Sequence, residues 1–184
     1  MAAGALRNLD AFREGFRGYR ANRFIVFGSF PGSISSPNSD TFELYVKAAQ
    51  IPGAAVGYVP MTYRGRNIKF PAERSFMDWG MQVYASNSKA NDLRNKFIQW
   101  ISLINNPDHT IMNWTLTSPE PWIVSFNDMK DNSTQSSDRF KESVEMWNCF
   151  PIEVSPIEMN NDVTDSFAEF TLTMAYDYSV NRSI

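Results

Sequence analysis

The feature that most constrains this chain is a two-residue alternation near its end. From Phe167 to Tyr178, Phe170, Leu172, Met174, Tyr176 and Tyr178 fall on one side, and Glu169, Thr171, Thr173 and Asp177 on the other. That period belongs to a β-strand with one face on a core and the other in polar surroundings. Extended runs of the same kind recur at Arg23–Phe30, Thr41–Ala48 (Phe42, Leu44 and Val46 on one face) and Val56–Tyr63. Arg74–Tyr84 places Trp79, Met81 and Val83 on one side and reads as one strand. Thr110–Leu116, Trp122–Met129, Phe140–Phe150 and Ile152–Val154 are further extended segments, with Pro151 as a breaker. Arg23–Phe30 and Thr41–Ala48 are expected to pair as a hairpin across a long polar connection.

Two stretches switch to helical spacing. Leu6, Leu9, Phe12 and Phe16 predict an amphipathic helix over residues 4–18. Ala90, Leu93, Phe97, Trp100, Ile101 and Ile104 predict a second, capped by Asn87 or Ser88 and ending near Asn105-Asn106-Pro107. Residues 30–40, rich in Pro, Gly, Ser and Asn, read as a long surface loop, and Lys130–Asp138 as another. The pattern is mainly β with flanking helix. At 184 residues the expectation is one domain over 1–184.

Composition narrows the function classes. Hydrophobic residues at 43% and aromatics at 14% exclude a disordered chain. A formal charge of −3 disfavours general nucleic-acid binding. Arg7, Asp10, Arg13 and Glu14 interrupt the region where a signal peptide needs an apolar run, so folding in a reducing cytoplasm is expected. A lone cysteine, Cys149, agrees with that compartment.

The search for catalytic chemistry comes back empty. No glycine-rich phosphate loop is present. His109, the single histidine, lies beside a Pro-Asp turn and reads as an ordinary loop residue. One His and one Cys cannot close a zinc site. Asp128 with Asp131, and Asp162 with Asp165, read as solvated turns rather than a glycosidase acid and base. Cys149, between Trp147 and Phe150, reads as a small buried hydrophobe. The expectation is a non-enzyme without cofactor, metal or small-molecule ligand.

One segment stands out chemically. Tyr58, Tyr63, Arg64, Arg66, Lys69 and Phe70 interleave aromatic and basic residues in an otherwise acidic chain. Such a stretch could stack single-stranded bases, with Tyr58, Tyr63 and Arg66 as the contacts. It also has the composition of an interface core, in which aromatics, Met and Arg are enriched. The Pro-bounded run Ile51–Arg66 is therefore the candidate subunit contact, with Ile51, Pro52, Gly53, Val56, Tyr58, Met61, Tyr63, Arg64 and Arg66 as its residues.

At Ile51–Tyr84 the sequence resembles the tail tube proteins of contractile-tailed bacteriophages. The resemblance rests most on Arg74-Ser75-Phe76-Met77-Asp78-Trp79, similar to that family's Arg-x-Phe-x-Asp-Trp element. It extends through Ala90–Asn105 to the closing Phe-x-Leu-x-x-Ala-x-Asp-Tyr pattern at Phe170–Tyr178. For Arg74, Phe76, Asp78 and Trp79 an intramolecular role is expected, with Phe76 and Trp79 in the core and an Arg74–Asp78 ion pair fixing the strand start.

The resemblance implies an antiparallel β-barrel or sandwich protomer with a flanking helix, six copies closing into a ring with a continuous inner β-barrel. It further implies a virion component assembled in the host cytoplasm, whose rings stack inside a contractile sheath and conduct DNA. Implied partners are other copies, the sheath protein, and baseplate and tail-terminator proteins. A tube initiator, terminator or baseplate relative, or the tube subunit of a phage-derived injection machine, is the alternative it leaves open. The polar side chains Glu169, Thr171, Thr173 and Asp177 become lumen candidates.

Overall fold

The computed structural model describes residues 19–34, 45–86, 92–108, 112–128, 140–157, 159 and 167–183. The predicted helix 4–18, residues 35–40 of the loop 30–40, the loop Lys130–Asp138, Asn87, Ser88, His109, Asp131, Asp162 and Asp165 lie outside them.

Ten strands and one helix make up the described fold. One antiparallel sheet runs β1-β6-β7-β10, from β1 (Tyr19–Phe27), β6 (Trp122–Asp128), β7 (Phe140–Trp147) and β10 (Tyr178–Ser183). A second runs β2-β5-β9-β8, from β2 (Val46–Ala49), β5 (Trp79–Tyr84), β9 (Glu169–Ala175) and β8 (Phe150–Val154). A separate two-stranded ribbon joins β3 (Ala55–Tyr63) to β4 (Arg66–Ser75). The helix α1 spans Leu93–Ile104.

Inner faces of both sheets and one side of α1 meet in a single buried cluster. Val26, Trp122, Val124 and Met146 come from the first sheet, Trp79, Met81, Val83, Phe170, Leu172 and Met174 from the second, and Leu93, Phe97 and Trp100 from α1. Aromatic rings dominate its centre: Phe30 lies 5.0 Å from Phe97, 5.6 Å from Trp100 and 6.0 Å from Trp122 by ring centroids. Trp79 meets Trp122 edge-on at 5.9 Å. A Cβ on Gly28 would lie 2.3 Å from the Trp122 ring, so the backbone must be bare there for the indole to seat.

The helix starts at Asp92, whose carboxylate accepts from the Asn95 amide at 3.1 Å, supplying the N-cap. Of the predicted stripe, Leu93, Phe97 and Trp100 are buried, Ile104 packs at the edge and Ile101 is half-buried, while Ala90 lies outside the described residues. Lys96 is buried too, and burial lowers its ammonium pKa against the opposing pull of Asp92.

Several expectations from the sequence are corrected. β1 and β2 do not form a hairpin; they belong to different sheets, paired to β6 and β5. Arg74–Tyr84 is not one strand: β4 ends at Ser75 and β5 begins at Trp79, where the chain leaves the ribbon for the second sheet. Phe167–Tyr178 also divides. β9 ends at Ala175 in the second sheet and β10 begins at Tyr178 in the first. The corner is tied where β7 hands over to β8, by the Asp177 amide on the Trp147 carbonyl (3.0 Å) and the Asn148 side chain on the Asp177 carboxylate (2.7 Å). Pro151 sits inside β8 rather than breaking it, because β8 is an edge strand with a register shift at that point. Residues 112–116 form a turn with a single bridge, Asn105 to Met112, instead of a strand.

Candidate assembly surface

The ribbon is where the structure departs most from a self-sufficient fold. Arg64 and Gly65 both have positive φ, 48° and 75°, and form a two-residue turn between Tyr63 and Arg66. That geometry matches the twist of a tight hairpin and suits Gly at the second position. The run Ile51–Arg66 is therefore a lead-in, a full strand and a turn, not an irregular loop. Pro60 and Pro71 are accommodated because each strand has only the other as partner.

Register sorts the ribbon into two unlike faces. Val59 opposes Phe70, Met61 opposes Ile68 and Tyr63 opposes Arg66 on one side. Pro60 opposes Lys69 and Thr62 opposes Asn67 on the other, where Tyr58 also lies. The Lys69 ammonium stands 4.4 Å over the Tyr58 ring and Thr62 donates to Asn67 at 2.8 Å. Val59, Met61, Tyr63, Ile68 and Phe70 are each 41–59% exposed. A contiguous apolar strip of this kind marks an interaction surface.

The sequence candidates thus separate. Met61, Tyr63 and Arg66 share the apolar face, with the Arg64 guanidinium 5.3 Å over the Tyr63 ring at its tip. Tyr58 points to the opposite face. Val56 is exposed on β3, and Ile51, Pro52 and Gly53 precede the strand, Ile51 exposed and Pro52 half-buried. Val59 and Ile68 are not among the sequence candidates and Phe70 enters only in the aromatic and basic stretch, although all three complete the strip. Their signal was the alternation on both sides of Arg64-Gly65, legible only once the two segments are put in register.

Of the family-motif residues, Trp79 and Phe76 pack within the chain, while Arg74 and Asp78 are exposed. Trp79 is buried and its indole donates to the Gln50 carbonyl at 2.6 Å. Phe76 packs edge-on against Tyr176 at 5.8 Å. Arg74 is not ion-paired with Asp78; its guanidinium stacks 4.9 Å over the Phe76 ring.

The lumen candidates are brought together in part. Glu169, Thr171 and Thr173 share the outward face of β9, beside Gln82 opposite Thr171 and Glu153 opposite Thr173. The Lys47 ammonium donates to Glu169 at 2.5 Å, and that bond raises its pKa. Asp177 is exposed but lies beyond the end of β9, in the corner with Asn148.

Cys149 is fully buried, and burial pushes its thiol up to about 12. Its amide donates to the Ser118 hydroxyl at 3.2 Å. Among the described residues no group of three or more His, Cys, Asp or Glu is placed to hold a metal ion, and no helix is long and apolar enough to cross a membrane.

A sequence profile described as phage tail tube protein matches residues 19–181. The chain belongs to the phage tail tube family. Tail tube protein gp19 of Enterobacteria phage T4 is 24% identical over 159 residues, 86% of this chain and 89% of that protein. Its counterpart in Enterobacteria phage T6 is 25% identical over the same lengths. The fold of this tail tube protein matches the anti-feeding prophage tube-terminating cap with a TM-score of 0.63 at 14% identity, over 91% of this chain and 92% of that one. It also matches an extracellular contractile injection system solved as a sheath–tube complex in the extended state, with a TM-score of 0.55 at 15% identity, over 96% and 98%.

Proposed function

We propose that this tail tube protein is the repeating subunit of a hollow tube: six copies close into a ring, rings stack, and DNA passes through the lumen inside a contractile sheath. The observation that carries the reading is the β3–β4 ribbon, an amphipathic two-stranded sheet whose apolar face stays about half exposed among the described residues. A lone two-stranded ribbon is marginal in water, so a neighbouring copy is the natural cover. Ile51, Pro52, Gly53, Val56, Met61, Tyr63, Arg64 and Arg66 belong to this contact, with Tyr58 at its polar side.

The outward face of β9, with Glu169, Thr171 and Thr173, is the proposed lumen wall, and Asp177 lies at its rim. Small polar and acidic side chains repel phosphate and let DNA slide. The subunit performs no covalent chemistry in this role. Sheath, baseplate and terminator proteins are its further partners, in keeping with the sheath–tube complex and tube cap whose fold it shares. Assembly takes place in the host cytoplasm, and the product is a virion tail.

Negative-stain electron microscopy of the purified protein across a concentration series tests this. Six-fold rings that grow into tubes are expected. Rings that never stack would make it a terminator or initiator, and small particles at every concentration would refute self-assembly. Retention of single-stranded oligonucleotide that weakens with salt would favour the base-stacking alternative at Tyr58.

A further inference from the structure

A second apolar feature, exposed among the described residues, lies at the C-terminal end of α1. Ile104, Met112, Trp114, Leu116, Thr117 and Phe150 line a groove of about 220 Å³. Its shape is fixed by the backbone: the Asn113 amide donates to the Ile104 carbonyl at 2.8 Å, and the buried Trp100 indole donates to the Leu116 carbonyl at 3.0 Å. Asn113 also accepts from the Thr115 amide and hydroxyl, at 3.3 and 2.9 Å. Held between these bonds, Trp114 projects outward with 83% of its surface exposed.

Charge separates the two apolar features. Arg64, Arg66, Lys69 and Arg74 against Glu73 give residues 55–75 a net charge of +3, so within a total of −3 the rest of the chain carries −6. Residues 104–121, which supply most of the groove's lining, contain Asp108 and Glu120 and no Lys or Arg. The groove also sits at the negative end of the α1 dipole, whose last turn holds no basic residue. A ribbon placed on the groove brings a segment of net charge +3 to one whose only charged residues are acidic, and sets apolar side chains against apolar side chains.

We infer that the groove at Trp114 receives the apolar face of the β3–β4 ribbon of a second copy, with Met61 and Phe70 of the ribbon meeting Trp114. This rests on the tube reading above and specifies which surfaces join. Tongue and groove are different patches of one chain, so each copy can engage one neighbour by its ribbon and another by its groove, the head-to-tail arrangement that builds rings or open stacks.

Met61→Cys and Trp114→Cys combined in the full chain test the pairing under mild oxidation, read on a denaturing gel. Native Cys149 does not compete, being buried with its thiol at about 12. A ladder of covalent dimers, trimers and longer species is expected, absent from each single variant. Tubes in the microscope with no ladder would overturn the groove assignment and leave the tube reading standing. A ladder without rings or tubes would keep the assignment and refute the tube. In a second measurement, Trp114→Glu should raise the protein concentration needed for half-assembly by at least about tenfold, with the protomer's Tm unchanged. An unchanged assembly concentration would overturn the inference.

Discussion

The aromatic core and the β3–β4 ribbon are built from similar residues and meet opposite fates. Trp79, Trp100, Trp122, Phe97 and Phe170 have almost no exposed surface, whereas Val59, Met61, Tyr63, Ile68 and Phe70 stay about half exposed. The difference lies in the number of layers. Core side chains are covered by an opposing sheet or by α1, while each ribbon strand has only the other as partner and, among the described elements, no layer above it. Hydrophobicity alone does not place a residue inside; an opposing layer does, and in the proposed assembly another copy supplies that layer to the ribbon.

Breaking the core should have the largest effect on folding. Trp122→Ala removes the ring that meets Phe30, Phe97 and Trp79, and a loss of about 3–5 kcal/mol in denaturant unfolding is expected. Gly28→Ala tests the same ring from its other side. The added methyl would sit 2.3 Å from the indole, and overpacking of about 1–3 kcal/mol should appear as a lower midpoint with an unchanged m-value.

Titration gives a smaller handle on the core. The Cys149 thiol rises from an ordinary 9.0 to about 12 in the folded chain. A raised acid pKa means the unfolded state ionises first, so this contribution is full below pH 9 and is lost as pH climbs toward 12. Wild type should therefore lose stability with rising pH more steeply than Cys149→Ala, in denaturant midpoints measured at pH 7 and 10. Parallel pH profiles would contradict the buried thiol.

The ribbon should respond the other way round. Met61→Asp with Phe70→Asp places charge on the strip and leaves core packing untouched, so Tm should stay within about 2 °C of wild type. Ring and tube formation should be abolished. A Tm loss comparable to that of Trp122→Ala would mean the strip packs on its own protomer.

Much of this was legible in local pattern. The α1 stripe Leu93, Phe97 and Trp100, the alternation Trp79, Met81 and Val83, and the β9 face Phe170, Leu172 and Met174 were all read correctly from spacing. The candidate surface was half legible: Met61, Tyr63 and Arg66 were selected, but Tyr58 was grouped with them although it faces the other way. The groove at Trp114 was missed, because Thr110–Leu116 has strand composition and its turn depends on two bonds to α1, the Asn113 amide donating to Ile104 and the Leu116 carbonyl accepting from Trp100.

What the sequence by itself determined is which residues alternate, which follow helical spacing and where the aromatic weight falls, since these follow from neighbours a few positions apart. What only the tertiary structure decided is which sheet each strand joins. Alternation runs unbroken through Phe76–Asp78 and Tyr176–Asp177, yet the chain changes sheets at both. The in-or-out order is not carried across such a corner, since Phe170, Leu172 and Met174 are buried in β9 whereas Ser179 is buried and Tyr178 and Val180 are exposed in β10; strand pairing is set by hydrogen bonds to residues far away in the chain, such as the Asp177 amide on Trp147.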